Sequence, residues 1–398
     1  MHNSPLPLPT HLSPGPGDIR ALPRWDVFCQ VVDNFGDIGV CWRLARQLAG
    51  EFCIHVRLWV DDLASAARLI PGLDSQAAVQ HQEGVAIHRW EPDFSDEQAA
   101  DVVIAAFACP LPDVYKRAMA ARKQRPVWIN LEYLSAEDWV AGCHGLPSPQ
   151  PGLPLVQHFF FPGFDAASGG LLREADYAAR QAAFDPDAWW QIRVGMPRPS
   201  DALTVSLFAY ENPGLAPLLD VWARGARPVV CLVPEGRVLA DLAAWSGQPG
   251  LKAGDGLQRG ALRLQVLPFV PQQAYDELLW ACDLNFVRGE DSFVRAQWAA
   301  KPLVWHIYRQ EEEAHMVKLE AFLARQGAGL DTAARNAQEA FWRAWNGSEG
   351  GMGVAEAWPA LEAALPRLAA HGQAWAREME ALGDLASGLL KFCKLAVQ

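Results

Sequence analysis

Hydrophobic residues along this chain fall mostly in short continuous runs rather than in alternation. Residues 25–32, 55–60, 85–90, 101–107 and 126–131 form one series of runs, and 203–208, 228–233, 262–270, 284–287 and 303–308 a second. Short unalternating apolar runs suit strands buried on both faces, as in parallel sheets. Between them, residues 40–48, 62–69, 112–123, 215–223, 238–245, 274–281 and 293–300 carry helical spacing. Residues 135–138 (Ser-Ala-Glu-Asp) have the character of a capping box and predict a further helix start. Strand–helix alternation in both halves predicts an α/β protein with two doubly wound parallel sheets.

Helical patterns continue over residues 178–190, 312–325, 333–345, 354–368 and 373–395; in the second of these, Met316, Leu319 and Leu323 mark the core stripe. Residues 1–23 are rich in proline and lack an apolar core, so they read as a disordered tail and not a signal peptide. Around 145–170 the rhythm lapses, with Pro147, Pro149, Pro151, Pro154 and Pro162 close together. The expected organisation is a first Rossmann-like domain over 24–165, a linker over 166–200 and a second Rossmann-like domain over 201–372. The final helix, about 373–396, is expected to pack back on the first domain.

Composition narrows the function. A formal net charge of −12 argues against nucleic acid as the main partner. The eight cysteines form no C-x-x-C, which favours reduced thiols in a cytoplasmic protein over disulfides or zinc. No apolar run reaches the roughly 18 residues of a membrane helix, so no membrane contact is expected.

Two strand-to-helix turns carry candidate chemistry. After the run 284–287 come Arg288, Gly289, Glu290, Asp291 and Ser292. Such a turn, at the carboxyl end of a strand and the start of a helix, is where open α/β sheets bind anions. Arg288 offers a planar fork for phosphate, Gly289 allows close approach and Ser292 adds a hydroxyl. Glu290 and Asp291 are unexpected in a plain phosphate cradle but suit a sugar nucleotide. Asp291 equally suits a helix cap, or an i,i+4 pair with Arg295. After the run 25–32 come Asp33, Asn34, Phe35, Gly36, Asp37, Ile38 and Gly39. This is not G-x-G-x-x-G, and its acids would repel a dinucleotide pyrophosphate. Asp33 could make an Asx turn, and Asp37 could cap a helix beginning near Val40. A half with acids facing a half with a nucleotide site resembles a glycosyltransferase.

The run VVDNFGDIGVCWRLARQL at 31–48, SLFAYEN at 206–212 and the long segment from Phe269 to Tyr308 resemble the bacterial EarP family of protein-arginine rhamnosyltransferases. The resemblance covers nearly the whole chain from Trp25. It implies a GT-B fold, with two Rossmann-like domains facing a cleft. It implies transfer of rhamnose from dTDP-β-L-rhamnose to an arginine of translation elongation factor P, with inversion and without metal or other cofactor, activating the factor for polyproline sequences. It places the general base on Asp37, a second acid on Asp33 and a further important carboxylate on Glu290. It places donor binding on Phe208, Tyr210, Phe269, Gln272, Tyr275, Arg288, Asp291 and Ser292, with Asn34, Phe35, Gly36 and Gly289 in the same two turns. At position 275 the family can carry Phe, so the Tyr here adds a hydroxyl. His306 and His315 read as structural. The alternatives are another GT-B transferase or an epimerase using a different nucleotide sugar, a nicotinamide-dependent dehydrogenase, and a non-catalytic partner of the translation machinery.

Overall fold

The computed structural model describes residues 23–32, 35–91, 94, 98–310, 313–347 and 351–396. The tail expected over 1–23 therefore lies outside the described residues apart from Pro23. The first half builds one sheet from Arg24–Cys29 (β1), His55–Val60 (β2), Val79–Gln82 (β3), Val85–Arg89 (β4), Val102–Ala106 (β5), Val127–Leu131 (β6), Pro147–Pro149 (β7) and Val156–Phe160 (β8). Their order is β3-β4-β2-β1-β5-β6-β8-β7. The second half builds a sheet from Leu203–Leu207 (β9), Val229–Pro234 (β10), Gly256–Arg259 (β11), Leu262–Leu267 (β12), Leu284–Arg288 (β13) and Leu303–His306 (β14), in the order β11-β12-β10-β9-β13-β14.

Interior strands are parallel, and β1, β5, β6, β9 and β10 are almost wholly buried, as their unalternating sequences require. The edges differ from the all-parallel expectation. β3 pairs antiparallel with β4, β7 with β8, and β11 with β12. Glu83 (φ 47°) and Gly84 (φ 80°) make the first of these turns, where left-handed backbone matches the twist of a hairpin. The segment expected to be irregular around 145–170 thus holds two strands, β7 and β8, and β8 extends the first sheet beside β6.

Several boundaries also move. The helix expected from Val40 begins at Gly36 and runs Gly36–Phe52. The connector expected over 178–190 is two helices, Tyr177–Ala183 and Pro186–Arg193, because Asp185 caps a new helix with Pro at its first position. No helix starts at Ser135. Its Oγ accepts from the Glu137 N–H (3.0 Å) and donates to Glu137 Oε2 (2.9 Å), closing a local turn. The two last helices expected are Val354–Leu382 and Leu385–Ala396, not 354–368 and 373–395. Gly372 lies inside the long helix and lets it lie against the Ala300 carbonyl, where a Cβ would sit 3.4 Å away. The chain turns at Gly383, in left-handed backbone (φ 88°).

That turn moves the chain from one core to the other. Trp375 and Met379 belong to the core of the second sheet, while Leu385, Ala386, Leu389 and Cys393 pack into a core of the first. Both sheets reverse strand order at one point, between β1 and β5 and between β9 and β13. Ligands of open α/β sheets bind in that crevice, beyond the carboxyl ends of the strands. The two crevices face one another.

Candidate active site

Pairing between β9 and β13 builds the second sheet's side of the cleft. Register sets Leu207 beside Phe286, so Phe208 and Tyr210 leave β9 next to Arg288. Arg288 is buried, with Cζ 4.4 Å from the Phe208 ring centroid and 4.6 Å from that of Tyr210. The two rings thus brace the guanidinium. Gly289 follows in left-handed backbone (φ 59°), and its carbonyl accepts from Trp305 Nε1 at 2.8 Å. Ser292 Oγ accepts from the Arg288 N–H at 3.0 Å and donates to the Arg288 carbonyl. Its hydroxyl therefore locks the turn. Helix Asp291–Ala299 starts here, with Glu290 at its cap position and no side chain capping the first turn.

A cavity of about 630 Å³ opens above this turn. Phe208, Tyr210, Phe269, Gln272, Tyr275, Arg288, Gly289, Asp291 and Ser292 line it, with Phe35 and Gly36 from the first half. Phe269 packs edge-on to Phe35 at 5.5 Å, so both halves contribute to one aromatic wall. Gln272 Nε2 donates to the Gly39 carbonyl (2.6 Å) and to Asp291 Oδ2 (3.1 Å), while its Oε1 has no hydrogen-bond partner among the described residues. Burial pushes the Tyr275 phenol up, so it stays neutral.

A second cavity of about 750 Å³ adjoins the first, sharing Gly36 and Gly289. Asp37, Glu290, Tyr133, Trp305, Tyr308 and Lys318 are among its lining residues. Asp37 lies in the first turn of its helix but does not cap it. Its Oδ2 accepts from the Val32 N–H at 2.8 Å and its Oδ1 from the Tyr133 hydroxyl at 3.2 Å. The Tyr133 ring stacks on Phe107 (4.4 Å) and lies under Lys318 Nζ (5.6 Å). Glu290 reaches across the cleft, where its Oε2 accepts from the Leu134 N–H at 3.0 Å. Burial pushes the Glu290 carboxyl up to about 8, and the anions of Asp37 and Asp291 add to this. The Leu134 hydrogen bond and the Lys318 cation act in the opposite direction.

Every described site residue expected from the sequence thus lies in one of two adjoining cavities. Asp33 and Asn34 lie outside the described residues. Asp291 does not pair with Arg295; both its oxygens receive Arg43, from Nε at 3.0 Å and Nη2 at 3.4 Å. His306 sits beside Arg288 in register on β14, where burial and that cation lower it to about 4. It is neutral at physiological pH. His315 is buried and accepts from the Gln310 N–H at 3.4 Å. Tyr133, Tyr308, Lys318 and Arg43 were not singled out by the sequence. Tyr133 follows a strand just as Asp33 does, a signal that could have found it; nothing in the spacing around Lys318 or Arg43 points to the cleft.

Anion-binding groups of one half meet the Asp37 carboxylate of the other across a shared opening, within two facing α/β sheets. That is the architecture of a GT-B glycosyltransferase, and the chain is one. The family model for elongation-factor P (EF-P) rhamnosyltransferase EarP matches residues 25–394, and the chain belongs to that family. A protein-arginine rhamnosyltransferase of Pseudomonas putida is 53% identical over 373 residues, covering 92% of this chain and 98% of that protein. A solved structure giving the structural basis for EarP-mediated arginine glycosylation of translation elongation factor EF-P is 40% identical with a TM-score of 0.67, covering 94% of this chain and 99% of that one. A UDP-glucosyltransferase from Polygonum tinctorium shares the fold alone, at 11% identity and a TM-score of 0.51 over 94% of this chain and 98% of that one. No helix among the described residues is long and apolar enough to cross a membrane.

Proposed function

We propose that the protein transfers rhamnose from dTDP-β-L-rhamnose to an arginine side chain of translation elongation factor P, with inversion and without a metal. The observation that carries this reading is the junction of the two cavities at Gly36 and Gly289. The diphosphate meets Arg288 and the free N–H groups opening helix Asp291–Ala299. The nucleoside takes the wall of Phe269, Val270 and Leu69. The sugar then points through the junction at Asp37 and Glu290. The Pseudomonas putida relative and the solved structure support the acceptor, an arginine of the elongation factor.

The chemistry follows from the acceptor. A guanidinium stays protonated below about pH 12, so a nitrogen must lose a proton to attack. Asp37 takes that proton while the nitrogen bonds to the anomeric carbon. The bond from that carbon to the diphosphate oxygen breaks, and its electron pair leaves with the diphosphate. Arg288 and the helix N-terminus stabilise the developing charge. Nucleophile and leaving group occupy opposite cavities, which gives inversion. Glu290, protonated in much of the empty enzyme at neutral pH, ionises as the cationic acceptor arrives and holds it. Asp33 keeps its role as the second acid on the family resemblance alone. The eight free cysteines suit the reducing cytoplasm, where the modified factor serves the translation of polyproline stretches.

A donor panel tests this reading. With elongation factor P as acceptor, dTDP-rhamnose should support transfer, while UDP-glucose and GDP-mannose should not. Transfer from either of those, and none from dTDP-rhamnose, would replace the donor.

A further inference from the structure

Asp291 poses an electrostatic problem. It lines the donor cavity with Arg288 and Ser292, so an anion stands where the proposed donor brings its diphosphate. The cation that answers it comes from the other half of the molecule. Arg43 lies on helix Gly36–Phe52, is 2% exposed and lines neither cavity. Its Nε and Nη2 meet the two oxygens of Asp291, and its Nη1 donates to Glu174 Oε1 at 2.7 Å. Glu174 Oε2 in turn accepts from Arg295 Nη1 at 2.7 Å, and Arg295 Nε and Nη2 bind Asp276 at 2.7 and 2.6 Å.

Glu174 and Asp276 each retain a cation without Arg43: Arg295 serves both, and Arg180 Nη1 lies 3.3 Å from Asp276. Asp291 does not. Among its described partners, Arg43 is the cation and Gln272 the neutral donor. Removing Arg43 would leave an uncompensated carboxylate facing the ligand's negative charge. Gly39, one helical turn before Arg43, makes the contact possible: a Cβ there would lie 3.2 Å from Gln272 Nε2 and 3.4 Å from Asp291 Cβ.

We infer that Arg43 is a positioning residue for donor binding: it neutralises and orients Asp291 from the opposite half, so the diphosphate site is complete only when the two halves are in contact. The inference rests on the proposed nucleotide-diphosphate donor. It assigns Arg43 no contact with the ligand.

The test compares dTDP with thymidine, which carries the same base and sugar without phosphate. Affinities for the wild type and for Arg43→Met, Arg43→Lys, Asp291→Asn and the Arg43→Met/Asp291→Asn pair would be measured by calorimetry for dTDP and ligand-observed NMR for thymidine. Arg43→Met should weaken dTDP at least about tenfold, as one unneutralised charge a few ångströms from a diphosphate requires, and shift thymidine less than about twofold. Arg43→Lys should recover most of the loss. In the Asp291→Asn background, Arg43→Met should cost dTDP little. A merely structural strut would lose dTDP and thymidine alike, and in both backgrounds alike; either result overturns the inference. If Arg43→Met does not fold, Arg43→Lys and the double variant against Asp291→Asn still decide it. Failure of the wild type to bind dTDP would overturn the donor reading itself.

Discussion

The main-chain N–H of Leu134, just beyond the last residue of β6, donates to the carboxylate of Glu290 at 3.0 Å. One half of the molecule thereby holds a side chain that the other half presents, beside Asp37. The cost is visible in the carboxyl itself, which burial raises from an ordinary 4.5 to about 8.

That shift sets a stability prediction. Between about pH 4.5 and 8 the folded protein keeps a proton on Glu290 that the unfolded chain has lost, so stability attributable to this group falls as pH rises through that window. Glu290→Gln removes the penalty. The variant should melt higher than wild type at pH 8 and lose that margin towards pH 4.5, while its transfer rate drops. A melting difference independent of pH, followed by calorimetry, would remove the titration from the account.

Asp37 and Tyr133 should separate by function. Asp37→Ala should lower turnover at least about a hundredfold, the usual contribution of a positioned base, with dTDP binding close to wild type. Tyr133→Phe keeps the ring stacked on Phe107 and loses the hydroxyl on Asp37 Oδ1, so a smaller fall in turnover is expected, without loss of donor affinity. Full activity in Asp37→Ala would end its role as base.

Arg288→Ala should weaken dTDP about ten- to a hundredfold, the range for a charged hydrogen-bonding partner. Phe208 and Tyr210 lose the cation between them as well, so Arg288→Lys should rescue only part. Unchanged affinity in calorimetry would move the diphosphate elsewhere.

Burial makes Arg295 a test of packing and charge together. It is fully enclosed and paired with Asp276, itself fully enclosed. Arg295→Met should destabilise by roughly 3–5 kcal/mol, because it takes from a buried carboxylate its two-point partner and leaves only the longer contact to Arg180. Urea unfolding that shows less than about 1 kcal/mol would mean that Arg180 compensates alone.

The sequence disclosed these elements unevenly, and the reasons are physical. Interior strands were legible because burial on both faces forces unbroken apolar runs, as in Val102–Ala106, which reads VVIAA, is buried throughout and falls inside the run expected at 101–107. The antiparallel edge strands were not. Val79–Gln82 reads VQHQ and Gly256–Arg259 reads GLQR, polar segments held by one neighbour each. The break expected between 368 and 373 is absent, because the contact of Gly372 with Ala300 that the helix makes there lies far along the chain. The same holds at the cleft. Arg288 ends one strand and Asp37 lies in the first turn of the helix after another, so both could be found by position, whereas Arg43 meets Asp291 across 248 residues.

The proposed reaction, transfer of rhamnose to an arginine on a protein, changes the acceptor's mass. The most direct measurement incubates the purified enzyme with dTDP-β-L-rhamnose and unmodified elongation factor P, then weighs the intact factor by mass spectrometry and locates the change by fragmentation. A gain of one deoxyhexose residue on a single arginine is expected. An unchanged mass, with dTDP-rhamnose bound by the enzyme, would contradict the proposed reaction by leaving the donor site without this acceptor.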